Sequence, residues 1–142
     1  MEQLNDRDEV YGYGDRFDEL YAFNRTVRKG KFKYSRNFQP YHPKSLYAFY
    51  RYKQAAFREW KDLYVKGILN ETQRRFFEPQ GAEELYDLSL DPYETKNLAT
   101  DPAYRSTLKD LRILLKEKLL EENDLGFYPE CVWLEQGEQN PT

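Results

Sequence analysis

The sequence predicts an α+β fold, in which a small antiparallel sheet is covered by helices. Three patterns in the 142 residues indicate it. Two strand-like stretches flank a glycine over about 22–38, as in a β-hairpin. Apolar residues recur at helical spacing over about 46–66 and 101–121, and a short alternating stretch at about 84–90 lies between these helices. Because an antiparallel sheet has to bury its apolar face, we expect the helices to pack on one face of it.

The hairpin strands are expected at 22–28 and 31–38, with Gly30 in the turn between them. Glycine adopts the positive φ that a tight hairpin turn requires. In the second strand, aromatic residues alternate with polar ones: Phe32, Tyr34 and Phe38 against Lys31, Lys33 and Asn37. One face of the hairpin is therefore predicted to be apolar and the other basic. Before the hairpin, residues 10–14 are predicted to form a loop, since two glycines bracket a single tyrosine.

Two helices are expected in the middle of the chain. The first, over 46–66, should end at Gly67, because glycine readily adopts the conformation that terminates helices. The second, over about 70–77, begins at Asn70 and has Gln73 in the position that completes a capping box.

The helix over 101–121 has the clearest start. Asp101 is a good N-cap residue, and Pro102 suits the first helical position. Leucines then recur every three or four residues and are predicted to face the core: Leu108, Leu111, Leu115 and Leu119.

Charge is distributed unevenly along the chain. The net charge is −3, yet residues 21–66 carry twelve basic and two acidic side chains, whereas residues 1–20 and 67–142 are acidic. A basic centre of this kind predicts an anion-binding surface. The alternative is that the three segments pack together and neutralise one another, since surface charge clusters are individually weak.

The composition excludes several classes of protein. With Cys131 as its single cysteine, the chain has neither an internal disulfide framework nor a multi-cysteine metal site. No apolar run approaches the ~20 residues of a membrane span, and the acidic stretch 1–10 is unlike a secretion signal. Thirteen tyrosines and nine phenylalanines provide material for a core, so a soluble folded domain is expected. Its localisation stays open.

The basic segment supplies candidate binding residues for an anionic group: Arg28, Arg36, His42 and Lys44. Arginine offers paired planar donors and lysine a point charge, while a histidine between two prolines can contact an anion. The alternative is that these side chains are ordinary solvated residues. A second function class is a small nucleic-acid-binding module that uses the basic aromatic segment 21–66 to stack bases. Against it, we expect helix packing to bury Tyr47 and Tyr50.

Several phrases of the sequence resemble the C-terminal subdomain of sulfatases, in the alkaline-phosphatase superfamily. The most specific is the stretch Glu83–Ala99, which reads ELYDL, then Asp-Pro, a glutamate and Asn-Leu-Ala. The segments 15–19, 25–28 and 33–38 resemble the start of that subdomain, and 126–130 resembles its tail. Residues 60–64 together with 69–71 are similar to an insertion in heparan-sulfatase-like (N-sulfoglucosamine sulfohydrolase-like) members. The signature residues are predicted to have an architectural role: Leu85, Tyr86, Asp87, Leu88, Asp91, Pro92 and Asn97.

The resemblance implies a division into three parts. Residues 1–14 are an acidic N-terminal extension, 15–130 the sulfatase subdomain and 131–142 a polar tail. In sulfatases a large α/β domain carries the chemistry, with a formylglycine made from Cys or Ser in a Cys/Ser-x-Pro-x-Arg motif and a bound calcium ion. Cys131 is followed by Val-Trp-Leu-Glu, so it does not match that motif.

This chain is therefore expected to contain no catalytic residue, no metal ligand and no cofactor of its own, and to be inactive alone. Its role would be to complete a sulfatase fold and line a cleft for sulfated carbohydrate. The expected partners are a sulfatase catalytic domain and a sulfated glycan. We expect the chain to bind neither a membrane nor nucleic acid. A further alternative is a truncated product whose apolar docking face is exposed.

Overall fold

Four antiparallel strands form one sheet in the computed structural model, which describes residues 8–17, 19–129, 131–132 and 134–135. The strands pair in sequence order. Their bounds are Glu9–Phe17 (β1), Leu20–Lys29 (β2), Phe32–Asn37 (β3) and Glu83–Asp87 (β4). Helices complete the predicted α+β fold: Phe49–Lys53 (α1), Ala55–Val65 (α2), Glu71–Arg74 (α3) and Arg105–Glu121 (α4).

The predicted hairpin is confirmed as β2 and β3. Lys29 pairs with Phe32, which leaves a two-residue turn. Gly30 is the first residue of that turn and has a φ of +57°, a conformation that costs glycine little.

The prediction of a loop at 10–14 is wrong, because these residues lie in β1. Tyr11 pairs with Val27 and Gly12 with Thr26, so the backbone is held by the β2 ladder. A Cβ at Gly12 would meet nothing within 4 Å, so this position contributes no packing, whereas the neighbouring Tyr11 packs against the core. An edge strand of this kind lacks the apolar alternation by which a sequence reveals a strand. Of the predicted extension 1–14, residues 1–7 fall outside the described part, as does most of the predicted tail 131–142.

Helix α4 covers one face of the sheet and forms the main core, as predicted for its leucines. Asp101 accepts a hydrogen bond from the backbone N–H of Ala103 at 2.9 Å, and a 3-10 turn, Pro102–Tyr104, leads into the helix. The core contains these buried side chains: Val27, Tyr34, Leu85, Leu98, Leu108, Leu111 and Leu115. Each buried leucine stabilises the fold by about 1.5–3 kcal/mol.

The single helix predicted over 46–66 is two helices, α1 and α2. Gln54 separates them with an extended ψ of 121°. The start is also later than predicted, because the Arg51 side chain donates hydrogen bonds to the carbonyl oxygens of Lys44 (2.8 Å) and Leu46 (3.0 Å). These carbonyl oxygens therefore accept hydrogen bonds from a side chain, where a helix would have them accept from backbone N–H groups. The predicted end is confirmed, since Gly67 has a φ of +69°.

A second, aromatic layer lies on the other face of the sheet. Its rings stack in pairs: Trp60 with Phe76 at 4.7 Å and Tyr64 with Phe77 at 4.7 Å between centroids. It reaches β4 through Tyr86, which alternates with the core residue Leu85 and so points away from α4. The predicted packing of a helix on one face is confirmed for α4. On the opposite face the aromatic layer lies beside β4, whereas Val10 and Arg28 on that face are exposed.

Two further predicted bounds change for local reasons. The helix over 70–77 is α3 followed by a 3-10 turn, Arg75–Phe77, and the predicted capping box is present, with bonds of 2.9 and 3.1 Å between Asn70 and Gln73. The strand predicted over 84–90 ends at Asp87. The carboxylate of Asp87 accepts bonds from the N–H and hydroxyl of Ser89, which bends the chain into a turn. No helix in the described residues has the length and apolar character to span a membrane.

Candidate functional site

A cavity of about 390 Å³ lies beside the end of the sheet where β1 and β2 meet. We call it the hairpin cavity. The β1–β2 connection, the loop 37–46 and the aromatic layer at Phe76 line it. Its lining includes four groups that carry or can carry positive charge: Arg16, His42, Lys44 and Arg51.

The loop that carries His42 is held by backbone contacts. The N–H of Gln39 donates to the side-chain oxygen of Asn37 at 3.0 Å, and the N–H of His42 donates to the carbonyl of Gln39 at 3.1 Å. Pro43 then forms an isolated antiparallel β-bridge with Pro79, which follows the aromatic layer in the chain. These contacts fix where the imidazole lies.

Two buried polar atoms of the hairpin cavity lack a hydrogen-bond partner in the described part of the chain. They are Nδ1 of His42 and Oε1 of Gln39. Buried polar groups in proteins are nearly always paired. The cavity therefore offers one atom that can donate or accept, depending on the imidazole tautomer, and one that accepts.

The remaining charges favour an anion in this cavity. Among the described lining residues, Asp15 is the acidic one, and its carboxylate is paired with Arg25 at 2.6 Å. Arg51 is engaged with backbone carbonyls and lies over the ring of Phe76 at 5.2 Å, so it supports the loop. Lys44 is exposed, and its ammonium group is therefore accessible from solvent.

Arg25 fixes the wall of the cavity to the end of α4 through a buried ionic cluster, which we call the Arg25 latch. The guanidinium is fully buried and bonds both Asp15 and Asp124. Hydrogen bonds from Arg25 lower the pKa of Asp124 to about 2. Burial, with Asp124 as hydrogen-bond acceptor, raises the pKa of Tyr11. A Cβ at Gly126 would collide with the guanidinium, so the close approach requires glycine.

The signature residues hold the chain after β4 against that strand. The side-chain oxygen of Asn97 accepts from the N–H groups of Leu85 and Ala99, each at 3.0 Å, while its amide donates to the carbonyl of Glu83 at 3.0 Å. Asp91 accepts from the N–H of Lys96 at 2.8 Å, a bond that lowers the pKa of its carboxyl. These contacts are structural, and they shape the turn at 91–97.

The four predicted binding residues are brought together in part. His42 and Lys44 both line the hairpin cavity. Arg36 lies on the α4 face, 3.8 Å from Glu83 and over the ring of Phe38. Arg28 is exposed near the hairpin turn, where it donates to the carbonyl of Gly30 at 3.1 Å. Because it is the cross-strand partner of Lys33 rather than of Arg36, Arg28 lies on the opposite face from Arg36.

The nucleic-acid alternative is not favoured by this arrangement. The basic side chains of segment 21–66 point to different faces and one of them, Arg25, is fully buried, so the segment does not form one basic aromatic surface. The expectation that Tyr47 and Tyr50 are buried is wrong. They are 60% and 71% exposed, because α1 begins after Tyr47 and is a short surface helix.

Sequence reasoning missed Gln39, Arg16 and Arg51 as lining residues. Arg51 belongs to the basic segment, but its helical spacing gave no sign that it would hold a loop. Gln39 carries no charge and no motif. Its position beside two prolines was the available signal, because such a loop has a restricted backbone that can present side chains.

Comparison with known proteins finds sulfatases that resemble this chain over part of their length. The ulvan-active sulfatase of Formosa agariphila is 36% identical over 126 residues, which make up 88% of this chain and 21% of that protein. The chain is thus similar to part of a sulfatase. The Delta 4,5-hexuronate-2-O-sulfatase of Bacteroides thetaiotaomicron is 48% identical over 42 residues, or 30% of this chain and 9% of that protein. No family model matches the sequence.

Solved structures share the fold. A putative sulfatase from Bacteroides thetaiotaomicron and a 2-O GAG sulfatase each superpose with a TM-score of 0.51 at 22% identity, over 87% of this chain and 18% of theirs. This chain thus spans about a fifth of the length of the ulvan-active sulfatase and of the two solved structures. The predicted resemblance to a sulfatase C-terminal subdomain is confirmed.

The calcium ion of sulfatase chemistry does not fit the described residues of this subdomain. Calcium takes six to eight oxygen ligands, and no three His, Cys, Asp or Glu side chains come together there as a metal site would require. Neither bond breaking nor metal binding is therefore assigned to the residues of the hairpin cavity.

Proposed function

We propose that this sulfatase subdomain forms one wall of a substrate cleft and completes the fold of a catalytic domain that supplies the chemistry. The hairpin cavity receives an anionic group of a sulfated carbohydrate. The observation that carries the proposal is the charge balance of that cavity: His42 and Lys44 line it, while its acidic residue Asp15 is neutralised by Arg25.

The two side chains have different tasks in this proposal. Lys44 supplies a point charge that attracts a sulfate or carboxylate. His42 supplies direction, because a protonated imidazole, or the tautomer with hydrogen on Nδ1, donates a hydrogen bond from a fixed position. Their combined effect is to orient the sugar so that its ester meets the catalytic group. Such positioning accelerates a reaction without any chemistry on the wall itself.

The names of two relatives support a substrate class for this proposal. One is named for ulvan and another for a 2-O-sulfated unsaturated hexuronate. Both names denote acidic sugars, which agrees with a cationic cavity in this chain. We therefore propose a sulfated polysaccharide that contains uronic acid as the substrate of the assembled enzyme.

Direct binding tests the role of the cavity. A 2-O-sulfated unsaturated hexuronate disaccharide and its desulfated form are titrated into the full chain by NMR or calorimetry. The sulfated sugar should bind more tightly, and His42→Ala or Lys44→Ala should weaken it about tenfold. Lys109→Ala, an exposed lysine on α4, is the matched control and should change nothing. Equal binding of the two sugars, or full affinity in both variants, would contradict the proposal.

A chimera tests the role in catalysis. Residues of this chain replace the matching 126-residue segment of the ulvan-active sulfatase. The chimera should retain sulfatase activity, and His42→Ala within it should raise KM more than it lowers kcat, since binding to the wall is lost in substrate and transition state alike. The chain alone should not hydrolyse p-nitrophenyl sulfate with calcium present. Turnover by the pure chain would contradict the proposal that a separate catalytic domain supplies the chemistry.

A further inference from the structure

The lining of the hairpin cavity has two distinct parts. One part adjoins a second cavity of about 780 Å³, which lies between the aromatic layer, β4 and the turn at 91–97. The two linings share three residues: Lys44, Phe76 and Gln80. The other part contains Asp15 and Phe23. Both of these residues are joined to the segment 124–127, which follows α4 and which we call the post-α4 segment.

An ionic contact joins the post-α4 segment to Asp15. The buried guanidinium of Arg25 donates to Oδ1 of Asp15 at 2.6 Å and to Oδ1 of Asp124 at 2.8 Å. The N–H of Gly126 donates to the same oxygen of Asp124 at 2.9 Å. Because Asp15 lines the cavity, its pairing with Arg25 offsets a negative charge there. A displaced guanidinium would leave the carboxylate to repel an anionic ligand.

An aromatic contact joins the same segment to the loop that carries His42. The Phe127 ring meets the rings of Phe23 and Phe38 edge-on, with 4.9 Å between centroids in each pair. The backbone N–H of Phe38 also donates to the carbonyl of Phe23 at 2.7 Å. Gln39 follows in the chain, and its carbonyl accepts from the N–H of His42 at 3.1 Å. Phe127 therefore supports the residues from which this loop begins.

The burial of Phe127 fits a role in positioning. The side chain is 46% exposed, whereas Leu111 on α4 is 3% exposed, so Phe127 contributes less to the core. Edge-on aromatic pairs nevertheless have a preferred geometry. A binding site requires its side chains to be held in place by their neighbours, and Phe127 supplies such a neighbour to Phe23 and Phe38.

We propose that the post-α4 segment sets the ligand-binding geometry of the hairpin cavity, with Gly126 and Phe127 as positioning residues. Gly126 acts through Arg25 and Asp15, because it leaves the space in which the guanidinium lies. Phe127 acts through the loop that carries His42. The inference rests on the proposed function and deepens it, since neither positioning residue lines the cavity itself.

NMR of the ligand-free chain tests the aromatic contact. His42 is the single histidine, so the imidazole signals of an untagged protein report on its loop without ambiguity. Phe127→Ala should shift these signals. Leu111→Ala, which removes a buried core side chain from α4, is the control and should leave them in place. Equal shifts in the two folded variants, or no shift in Phe127→Ala, would show that Phe127 does not position the loop.

Binding of the 2-O-sulfated hexuronate disaccharide tests the ionic contact. In Gly126→Ala the new Cβ would collide with the Arg25 guanidinium and lie 3.1 Å from Oδ2 of Asp15. Affinity should therefore fall about tenfold. Gly12→Ala is the matched control, because a Cβ there meets nothing within 4 Å. Unchanged affinity in Gly126→Ala, or an equal loss in Gly12→Ala, would overturn the role of Gly126.

A double-mutant cycle keeps the test decisive if Gly126→Ala does not fold. Phe127→Ala should weaken disaccharide binding severalfold in the wild type and cause no further loss in His42→Ala, because it acts through that imidazole. Additive losses would overturn the inference and leave the hairpin cavity as the binding site. If the wild type does not bind the disaccharide, the proposed function fails, whereas the NMR comparison still decides whether Phe127 positions His42.

Discussion

The two faces of the sheet differ in the side chains that lie against them. Against α4, branched aliphatic side chains such as Leu85, Leu111 and Leu115 fill the space and are almost fully buried. On the opposite face, aromatic rings such as Trp60 and Phe76 contact one another in stacked and edge-on pairs and line two cavities. Aliphatic side chains interdigitate to crystal-like density, whereas flat rings joined by loops leave gaps. The α4 face therefore provides the buried core, and the aromatic side carries the two cavities.

The largest expected effect is on the α4 side of this comparison, at the Arg25 latch. Arg25→Ala leaves the largely buried Asp124 carboxylate without its cationic partner and should lower the free energy of unfolding by about 3–5 kcal/mol. Urea denaturation measures it. Arg28→Ala, on the neighbouring exposed surface of the same strand, is the control and should cost no more than about 0.5 kcal/mol. Similar losses of stability in the two variants would show that the Arg25 latch does not stabilise the fold.

A smaller loss is expected from a cavity in the aliphatic core. Leu111→Ala should cost about 2–5 kcal/mol, because the transfer energy of the side chain is lost and a void remains. Leu120, on the same helix, is 69% exposed, and Leu120→Ala serves as the matched variant with little expected change. Thermal and urea unfolding of both proteins give the comparison. If Leu120→Ala proved as costly, the outer surface of α4 would also be buried in the protein in solution.

Acid should release the latch at a defined pH. The folded pKa of Asp124 is lowered to about 2 by its hydrogen bonds from Arg25, below an unfolded value of ~3.9. The group thus contributes about 2 kcal/mol above pH ~4, and the contribution disappears as the pH falls through about 2. Unfolding free energies of the wild type and Asp124→Asn, measured from pH 6 to 2, should converge with acidification. A constant difference between the two would contradict this titration.

The smallest effect on stability is expected on the aromatic face. His42→Ala and Lys44→Ala should change the free energy of unfolding by less than about 0.5 kcal/mol, since neither side chain belongs to the core. The same variants are those expected to weaken binding of the sulfated disaccharide. Large destabilisation by either variant would show that the aromatic face, proposed to bind the ligand, also stabilises the fold.

Local physics explains which elements the sequence predicts well. The turn at Gly30, the capping box at Asn70 and the helix end at Gly67 each depend on residues a few positions apart. The leucine spacing of α4 likewise identifies its buried face, since a helix repeats every 3.6 residues. By contrast, β1 carries no apolar alternation and exists through its pairing with β2. No local pattern distinguishes such an edge strand from a loop.

The candidate site was predicted in part for the same reason. The composition of the 37–46 loop points to His42 and Lys44, and these two do lie together. The separation of Arg28 from Arg36 follows from pairing register, which reverses the face of every second residue.

By itself, the sequence determined the α+β class, the hairpin, the leucine-lined helix and the sulfatase relationship. These depend on short-range periodicity and on a signature within one stretch of chain. Tertiary structure decided that Arg25 is buried between Asp15 and Asp124, residues 10 and 99 positions away. It decided too that Arg51 bonds the loop before α1, where the sequence predicted the start of a long helix. It also decided where the two cavities open. Each of these outcomes depends on partners brought together by folding, because a side chain finds its lowest free energy among neighbours that its own segment does not specify.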